Sequence, residues 1–456
     1  MHSTSAEYFL FFVIVLLAYW LVAGSKLARL TVLLAANYLF CVRYGVFYLV
    51  LIPACSTIDY LAGRGMQFFK KPAVRRLFLG LSLATNLALL VLSRHMSLFP
   101  TRPGWDWIFP LSLSFYVFQS LSYTIDVYRK DASAAKSYLG YLTAASFFPT
   151  IQAGPITRPI EILKYLSRKF ELPAADGSRA LFLIVFGLAK KLLIADYLGS
   201  NLVNRIFDTP NLYSGMEVLV AVYVYSLELY YDFSGYTDIA RGCGMLLGVR
   251  LPINFDRPYT AVNMTDFWRR WHISFSNWLR DYLYFSLPGK RTRIMPYLNL
   301  VITMILGGLW HGTTGPFAIW GLLHGSALAV ARGWQAWRGK RPERGWASRA
   351  VRIFCTYQFV CLTWVFFRSP TTPVAFDILK RIGSLTFSLQ NVSLGVVLVA
   401  LLGALGQAIP KRWYERTLDL FARTPFYVQA AAMALAVVAI QLLAGRGSAP
   451  FVYTRF

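Results

Sequence analysis

Runs of apolar residues follow one another along the chain, separated by short basic or proline- and glycine-rich connections. A helix that crosses a bilayer needs roughly 20 predominantly apolar residues, so the chain has room for about ten to twelve such helices. The pattern places them at about 8–23, 30–42, 45–62, 77–94, 108–127, 179–203, 216–232, 296–310, 316–331, 350–367, 392–410 and 426–443. No basic residue precedes the first run, so we expect a retained span rather than a cleaved signal. The pattern predicts an all-α, polytopic integral membrane protein.

Basic residues are concentrated between the apolar runs. The chain has 46 Lys and Arg residues against 21 Asp and Glu, a formal net charge of +25, and 56% of its residues are hydrophobic. Basic loops between spans are typically cytoplasmic, so we attribute the charge to a cytosolic face rather than to nucleic-acid binding and place the N-terminus outside. Such a face suits anionic lipids or a phosphate-rich cosubstrate. The five cysteines show neither a CxxC pair nor metal-ligand spacing, so we expect no metal site.

Two of the apolar segments contain features that an ordinary span does not. The stretch SFFPTIQAGPITRP (146–159) is broken by prolines and a glycine and is too short to cross, which predicts a re-entrant loop. The span at 179–203 has Lys190 and Lys191 near its middle. We expect that span to be tilted, to lie partly in a polar cavity, or to let its lysines snorkel to the interface.

The stretch TDFWRRWHISFSNWLRDYLY (265–284) is rich in aromatic and basic residues. As a helix over 265–285, begun by Asn263 or Thr265 as N-cap, it gathers its large apolar side chains on one face. His272 falls within that face, where an imidazole needs a hydrogen-bond partner or a chemical role. The alternative is an amphipathic helix at the cytoplasmic interface that contains a satisfied core histidine.

The stretch LGGLWHGTTGPFAIWGLLHG (306–325) contains two more of the five histidines. Glycines flank His311 closely on both sides, so backbone can approach there or the helix can break. Non-helical backbone at membrane depth is tolerated only where protein or a cavity surrounds it, and an ionisable residue there is a functional candidate. The alternative is a turn between two spans with an interfacial histidine. His324, beside Gly321 and Gly325, is more typical of a hydrogen bond between helices.

Four charged residues stand among aromatics and glycines in ELYYDFSGYTDIARGCG (228–244): Glu228, Asp232, Asp238 and Arg241. Glu228 and Asp232 are four residues apart and therefore share one helical face. A mechanism with paired carboxylates is one interpretation. The other, which we favour, is that these carboxylates balance nearby arginines and fix the wall of a cavity.

Five motifs resemble the bacterial branch of the membrane-bound O-acyltransferase family: DFSGYTDIARGCGMLLGVRLPINFDRPY, FWRRWHISFSNWLRDYLY, GGLWHG, WVFFR (364–368) and the terminal FVYTRF. They are most similar to the membrane subunit of alginate O-acetylation and more distantly similar to the teichoic acid D-alanyl transferase. The resemblance implies a ring of helices around a funnel or tunnel. It also implies one domain over 1–456, with a catalytic core at roughly 110–370. His311 matches the family's active-site histidine and His272 the second histidine of the bacterial branch, with His324 as a supporting residue.

The function that the resemblance implies is transfer of an acyl group, most often acetyl, from cytosolic acyl-coenzyme A across the bacterial inner membrane. Acetyl-CoA would be a cosubstrate, with no bound cofactor, and His311 would act as general base. The acceptor would be a hydroxyl of alginate, cellulose, another exopolysaccharide or peptidoglycan, or a periplasmic SGNH-type acetyltransferase partner or other polysaccharide-modification subunit. Supporting residues would be Trp310, Trp268, Trp271, Asp232 and Asp238. Candidates for pairing the donor's phosphates are Arg269, Arg270, Arg280, Lys290, Arg291 and Arg293.

Two other classes of protein fit the same pattern in part. A transporter or flippase for a lipid-linked sugar also has broken helices and intramembrane charges, but it predicts internal repeats, which the sequence does not show. A scaffold for a polysaccharide synthase would tolerate single histidine substitutions. Only the acyltransferase gives His272 and His311 a chemical role.

Overall fold

The computed structural model describes residues 4–43, 45–46, 48–95, 112–151, 154–288, 292–339 and 345–444. This part of the chain consists of helices joined by irregular connections and contains no strand. The α-helices are α1 Ala6–Leu21, α2 Lys26–Val42, α3 Tyr48–Phe68, α4 Pro72–His95, α5 Ser112–Arg129, α6 Tyr138–Ala145, α7 Phe148–Ile151, α8 Pro159–Leu166, α9 Ala174–Ala189, α10 Asp196–Leu198, α11 Asn204–Asp208, α12 Gly215–Leu246, α13 Met264–Trp268, α14 Ile273–Trp278, α15 Met295–His311, α16 Gly315–Arg338, α17 Trp346–Arg368, α18 Thr372–Gly383, α19 Leu394–Ala408, α20 Lys411–Arg423 and α21 Phe426–Leu443. The predicted all-α class is confirmed.

Only some of these helices are long and apolar enough to be assigned as complete membrane spans. Among the described residues, Pro72–Val91, Trp346–Arg368 and Phe426–Leu443 are long and apolar enough to cross a bilayer. Helices α19 and α20 would form a fourth span together, although they meet at a bend of 95°. Helix α1 is apolar but shorter. The polytopic character is therefore confirmed, and the number of ten to twelve spans stays a prediction.

The chain folds as two units, each assembled from three separate stretches of sequence. The first comprises Met1–Phe186, Tyr236–Pro252 and Leu418–Met433, and the second comprises Gly187–Gly235, Ile253–Thr417 and Ala434–Phe456. Neither unit is a continuous stretch that could be cut from the sequence. The single domain over 1–456 and the core at 110–370 stay predictions.

In the first unit, the described residues of the proline-broken stretch at 146–159 form no long helix and are mostly buried. The described parts of this stretch, 146–151 and 154–159, contain the single turn of α7 and the start of α8. Asn37 holds this backbone from both sides, since its Nδ2 donates to the Thr143 carbonyl at 3.0 Å and its Oδ1 accepts from the Phe148 amide at 2.9 Å. Backbone that is not helical is thus surrounded by protein, while its re-entrant path through a bilayer stays a prediction.

In the second unit, α15 and α16 form the hairpin that the apolar runs at 296–310 and 316–331 predict. The helices approach closely because glycines line their contact. A Cβ on Gly308 would lie 2.3 Å from the Phe317 carbonyl oxygen, and one on Gly321 would lie 2.4 Å from that of Met304. Neither position can accept a larger residue without moving the backbone. His311 therefore lies at the tip of a rigid hairpin.

The span predicted at 179–203 is not a regular helix. Two π-helical turns, Lys190–Ala195 and Gly199–Val203, interrupt it. Lys191 is only 1% exposed, and its Nζ lies 2.6 Å from a carboxylate oxygen of Asp196 and 2.6 Å from one of Asp232. Of the three expectations for the lysines, snorkelling is therefore wrong for Lys191, because the buried carboxylate of Asp232 and the half-buried one of Asp196 hold its ammonium inside the protein.

Candidate active site

A turn at His272 interrupts the segment 265–285. The prediction of one continuous helix over these residues is therefore wrong. Helix α13 ends at Trp268, and α14 begins at Ile273. His272 lies between them with φ +40°, in the left-handed region that residues other than glycine rarely adopt. The predicted N-cap at Asn263 is confirmed, since its side chain accepts from the Asp266 amide at 2.8 Å.

Asn254 stabilises this turn through hydrogen bonds to three consecutive residues. Its Oδ1 accepts from the Ser274 amide at 3.1 Å and from the Ser274 hydroxyl at 2.9 Å, and it lies 3.2 Å from His272 Nδ1. The Asn254 carbonyl also accepts from the Ile273 amide at 2.9 Å. These bonds offset the cost of about 1–2 kcal/mol for a left-handed residue.

The same contacts fix which nitrogen of His272 has the proton. An amide oxygen only accepts hydrogen bonds, so His272 Nδ1 must be the donor to Asn254. In the neutral imidazole, Nε2 is then the acceptor nitrogen. The ring is 1% exposed and packs between Phe233 and Phe275, with ring centroids 4.7 and 5.0 Å away. His272 is thus held in one orientation and one tautomer.

His311 is the last residue of α15 and is 3% exposed. Helix α15 ends there because Gly312 adopts an extended conformation. A Cβ on Gly312 would lie 2.3 Å from the Phe317 ring, so a larger residue at this position would displace that ring. Aromatic side chains surround the imidazole, among them Trp320 and Phe367 at centroid distances of 5.4 and 5.0 Å.

Two aromatic residues contact both histidines and join them into one site. Phe275 lies 5.0 Å from His272 and 5.7 Å from His311 between ring centroids. Trp310 lies 6.5 Å from His272 and 4.5 Å from His311. All four side chains belong to the second unit and are at least nine-tenths buried. The structure therefore brings together residues that are 39 positions apart in the sequence, in apolar surroundings where a fixed dipole or proton acceptor acts strongly.

His324 has a structural role that its hydrogen bonds define. Its Nδ1 accepts from the Trp268 indole N–H at 3.2 Å, and its Nε2 lies 2.9 Å from Thr363 Oγ1, which donates to the Val360 carbonyl. Because Nδ1 accepts, Nε2 must have the proton and donate to Thr363. Both nitrogens are engaged, and the predicted hydrogen bond between helices is confirmed for α13, α16 and α17.

The three tryptophans predicted to support the site are buried. Trp310 packs against both histidines, and Trp268 is held by His324. Trp271 does not face the histidines in the same way: its nearest rings are Trp364 at 5.0 Å and Phe255 at 5.1 Å. Trp271 therefore supports the wall behind the site.

The predicted supporting carboxylates have separate surroundings. Asp232 is fully buried and pairs with Lys191, so its partner is a lysine where we favoured an arginine. Asp238 lies in the first unit and pairs with Arg241 at 3.1 Å, as the arginine interpretation predicts. Asp232 is joined to the site through its neighbour Phe233, whose ring packs on His272.

The described basic residues that were predicted to bind the donor either pair with a carboxylate or lie on the surface. Arg270 donates to Asp266 at 2.8 Å, and Arg280 donates to Asp281 at 2.9 Å. Arg269 and Arg293 are exposed. The predictions for Lys290 and Arg291 lie outside the described residues. Pairing with donor phosphates stays a prediction for all of them.

Sequence reasoning missed three residues that shape the site: Asn254, Phe233 and Thr363. Asn254 and Phe233 lie within the motif DFSGYTDIARGCGMLLGVRLPINFDRPY, but no local pattern links either to a histidine. Thr363 is one of several hydroxyl side chains in a largely apolar helix, so nothing in the sequence singles it out.

Comparison with known proteins connects this site to a family. Residues 37–367 match the model of MBOAT, the membrane-bound O-acyltransferase family, so the match includes both histidines. The chain is similar to the probable alginate O-acetylase AlgI of Pseudomonas putida, with 35% identity over 391 residues that cover 82% of this chain and 78% of that protein. It is 32% identical over 384 residues to the peptidoglycan O-acetyltransferase of Helicobacter pylori, covering 76% and 72%. It is 29% identical over 287 residues to the teichoic acid D-alanyltransferase of Streptococcus thermophilus, covering 56% and 68%.

Proposed function

The chain belongs to the membrane-bound O-acyltransferase family, and we propose that it transfers an acetyl group from cytosolic acetyl-CoA to a hydroxyl on the outer side of a bacterial inner membrane. The acetyl group is supported by the names of two similar proteins, an alginate O-acetylase and a peptidoglycan O-acetyltransferase. The acceptor is a polysaccharide hydroxyl or a periplasmic SGNH-type acetyltransferase that passes the group on.

The buried pair of His272 and His311 around Phe275 and Trp310 is the observation that supports this proposal most directly. His311 acts as general base: it takes the proton of the acceptor hydroxyl while that oxygen bonds to the acetyl carbon. When the carbon–sulfur bond breaks, the same proton passes from His311 to the CoA thiolate. An imidazole suits both steps because its ring nitrogen can accept a proton and later donate it.

The tautomer of His272 limits the role of that residue. With Nδ1 donating to Asn254, the neutral ring presents an acceptor nitrogen at Nε2 and has no N–H there to polarise the thioester carbonyl. His272 could orient the acceptor, orient the donor or polarise the thioester carbonyl, and of these roles the orientation of the acceptor hydroxyl fits this ring best. The surrounding aromatic side chains exclude water, so hydrolysis of the thioester is disfavoured.

The proposal is tested in sealed membrane vesicles of defined orientation. Inside-out vesicles, with candidate polysaccharide and SGNH partner in the lumen, receive radiolabelled acetyl-CoA outside. We expect label on the luminal acceptor, and none when right-side-out vesicles receive the same donor, because CoA does not cross the membrane. Omission of the partner distinguishes direct transfer from relay. Equal labelling in both orientations would contradict the cytosolic donor, and no labelling with any acceptor would contradict the proposed reaction.

Asn254→Leu is expected to lower the rate of transfer by about tenfold or more. The substitution leaves His272 Nδ1 without its acceptor and removes the bonds that hold the left-handed turn, and a tenfold loss corresponds to only about 1.4 kcal/mol of transition-state stabilisation. The measurement is the initial rate of acetyl transfer with purified protein, together with the midpoint of thermal unfolding.

Two variants separate the tautomer of His272 from simple destabilisation. Asn254→Asp keeps an oxygen acceptor for His272 Nδ1 and should recover part of the rate. Ser274→Ala removes one hydroxyl bond to Asn254 but leaves the histidine contact, so its rate should stay near that of the wild type. If Ser274→Ala lost as much activity as Asn254→Leu, the effect would belong to the turn and not to His272.

A further inference from the structure

The first unit contains a basic cavity of about 380 Å³ that the acyltransferase site does not use. Three parts of the chain line it: the region where α1 is followed by α2, the stretch after α8, and the stretch after α12. Each of these places is a connection between apolar helices. The residues of its lining that matter here are Tyr19, Arg29, Arg168, Lys169, Asp176 and Arg250.

The charge of the lining favours an anion. Four basic residues line the cavity against two acidic ones, Glu171 and Asp176. Asp176 is already engaged, since Arg250 donates to it at 2.5 Å. That hydrogen bond raises the pKa of Arg250 above its ordinary value, so this guanidinium stays charged. The remaining positive charges belong to Arg29, Arg168 and Lys169.

Arg29 is the residue that points to a ligand. It is only 3% exposed, and its two hydrogen bonds are to neutral groups: Nη1 donates to the Tyr19 hydroxyl at 3.1 Å, and Nη2 donates to the Arg168 carbonyl at 2.7 Å. Its Nε is buried and has no hydrogen-bond partner among the described residues, and none of their carboxylates pairs with it. A guanidinium buried without a counter-ion costs several kcal/mol, and a bound anion would offset that cost.

The two helices that contribute Tyr19 and Arg29 also expose large apolar side chains. Leu17, Leu21 and Leu27 lie close to Tyr19 and Arg29 in the sequence and are 55%, 87% and 68% exposed. Trp20 fixes the end of α1 by donating its indole N–H to the Leu246 carbonyl at 3.1 Å, a placement typical of the membrane interface. The helices that line the basic cavity therefore also expose apolar side chains, which suit acyl chains, while the cavity offers charges for a headgroup.

We propose that this cavity binds the phosphate of an anionic phospholipid headgroup. Arg29 donates from its buried Nε, Arg168 and Lys169 approach from the exposed rim, and the acyl chains lie along the leucines of α1 and α2. Basic residues at span ends attract anionic lipids of the cytoplasmic leaflet, which agrees with the expected orientation of these connections. A bound lipid would join α1, α2 and the end of α12 within the first unit.

The test is a titration of purified full-length protein in neutral detergent with short-chain phosphatidylglycerol, followed through the thermal unfolding midpoint and native mass spectrometry. Phosphatidylcholine with the same chains tests the need for net negative charge, and inorganic phosphate and glycerol 3-phosphate test free anions. We expect saturable binding of phosphatidylglycerol, with the apparent Kd rising about tenfold or more in Arg29→Gln.

Further variants keep the test decisive if Arg29→Gln folds poorly. Arg168→Gln and Lys169→Gln change exposed side chains and should together weaken binding by a similar factor, while Arg76→Gln, an exposed arginine of α4 outside the cavity, should not. Equal binding of phosphatidylcholine would overturn the proposal. So would equal binding of glycerol 3-phosphate, which would make the site one for free phosphate, or unchanged binding in the Arg168→Gln and Lys169→Gln double variant.

Discussion

Replacement of His311 with alanine is expected to abolish acetyl transfer while the protein still folds and inserts. General base catalysis typically contributes about 10²- to 10⁴-fold to a rate, and no other imidazole in the described site is placed to substitute. His272 is held at Nδ1 by Asn254 and is proposed to orient the acceptor hydroxyl, and His324 has both nitrogens engaged. The rate should therefore fall by at least about 100-fold.

The measurement combines the initial rate of transfer with the thermal unfolding midpoint for three histidine variants. His311→Ala should lose activity and keep most of its stability, because the aromatic neighbours can still pack around α15. His324→Ala should lose stability and keep most of its activity. It removes the hydrogen bonds that link Trp268 to Thr363 but no reacting group. His272→Ala should lose activity by a smaller factor than His311→Ala. Substantial transfer by His311→Ala would contradict its assignment as the base.

The hairpin and its histidine could be predicted because their determinants are local in sequence. Two apolar runs separated by a few residues define α15 and α16, and glycines at Gly308 and Gly321 mark a contact where backbones approach. The burial of His311 follows from its position at the end of such a run. The chemical role of the histidine came from resemblance to a family, because the residues alone left an interfacial turn as an alternative.

The break in the helix at His272 could not be predicted, because the residue that causes it is distant in sequence and no sequence pattern marks it. The aromatic spacing of 265–285 fits a continuous helix, and the large aromatic side chains are indeed buried at Phe267, Trp271 and Phe275. The turn forms because the side chain and carbonyl of Asn254 bind Ser274 and Ile273, a tertiary interaction that overrides local periodicity. For the same reason, the π-helical turns after α9 follow from no feature of their own sequence.

Lys191→Met is expected to destabilise the protein by about 3–5 kcal/mol, the typical cost of removing one partner from a buried ion pair. The Lys191 and Asp232 side chains are each 1% exposed, and that of Asp196 is 13% exposed. Without the ammonium, two carboxylates face each other with little water to solvate them. The measurement is thermal unfolding in detergent, with Lys190→Met, an adjacent and less buried lysine, as the matched control.

Neutralising Lys191, Asp196 and Asp232 together shows whether Lys191→Met destabilises the protein through unbalanced charge or through lost packing of the lysine side chain. Lys191→Met combined with Asp196→Asn and Asp232→Asn leaves no uncompensated charge, so it should recover most of the stability. Transfer should recover less completely, because Asp232 precedes Phe233, whose ring packs on His272 at 4.7 Å, and any shift of α12 reaches that histidine. If Lys191→Met alone were as stable as Lys190→Met, the cluster would not stabilise the fold. If the neutral triple variant recovered stability and full activity together, the ion pairs would be dispensable for positioning His272.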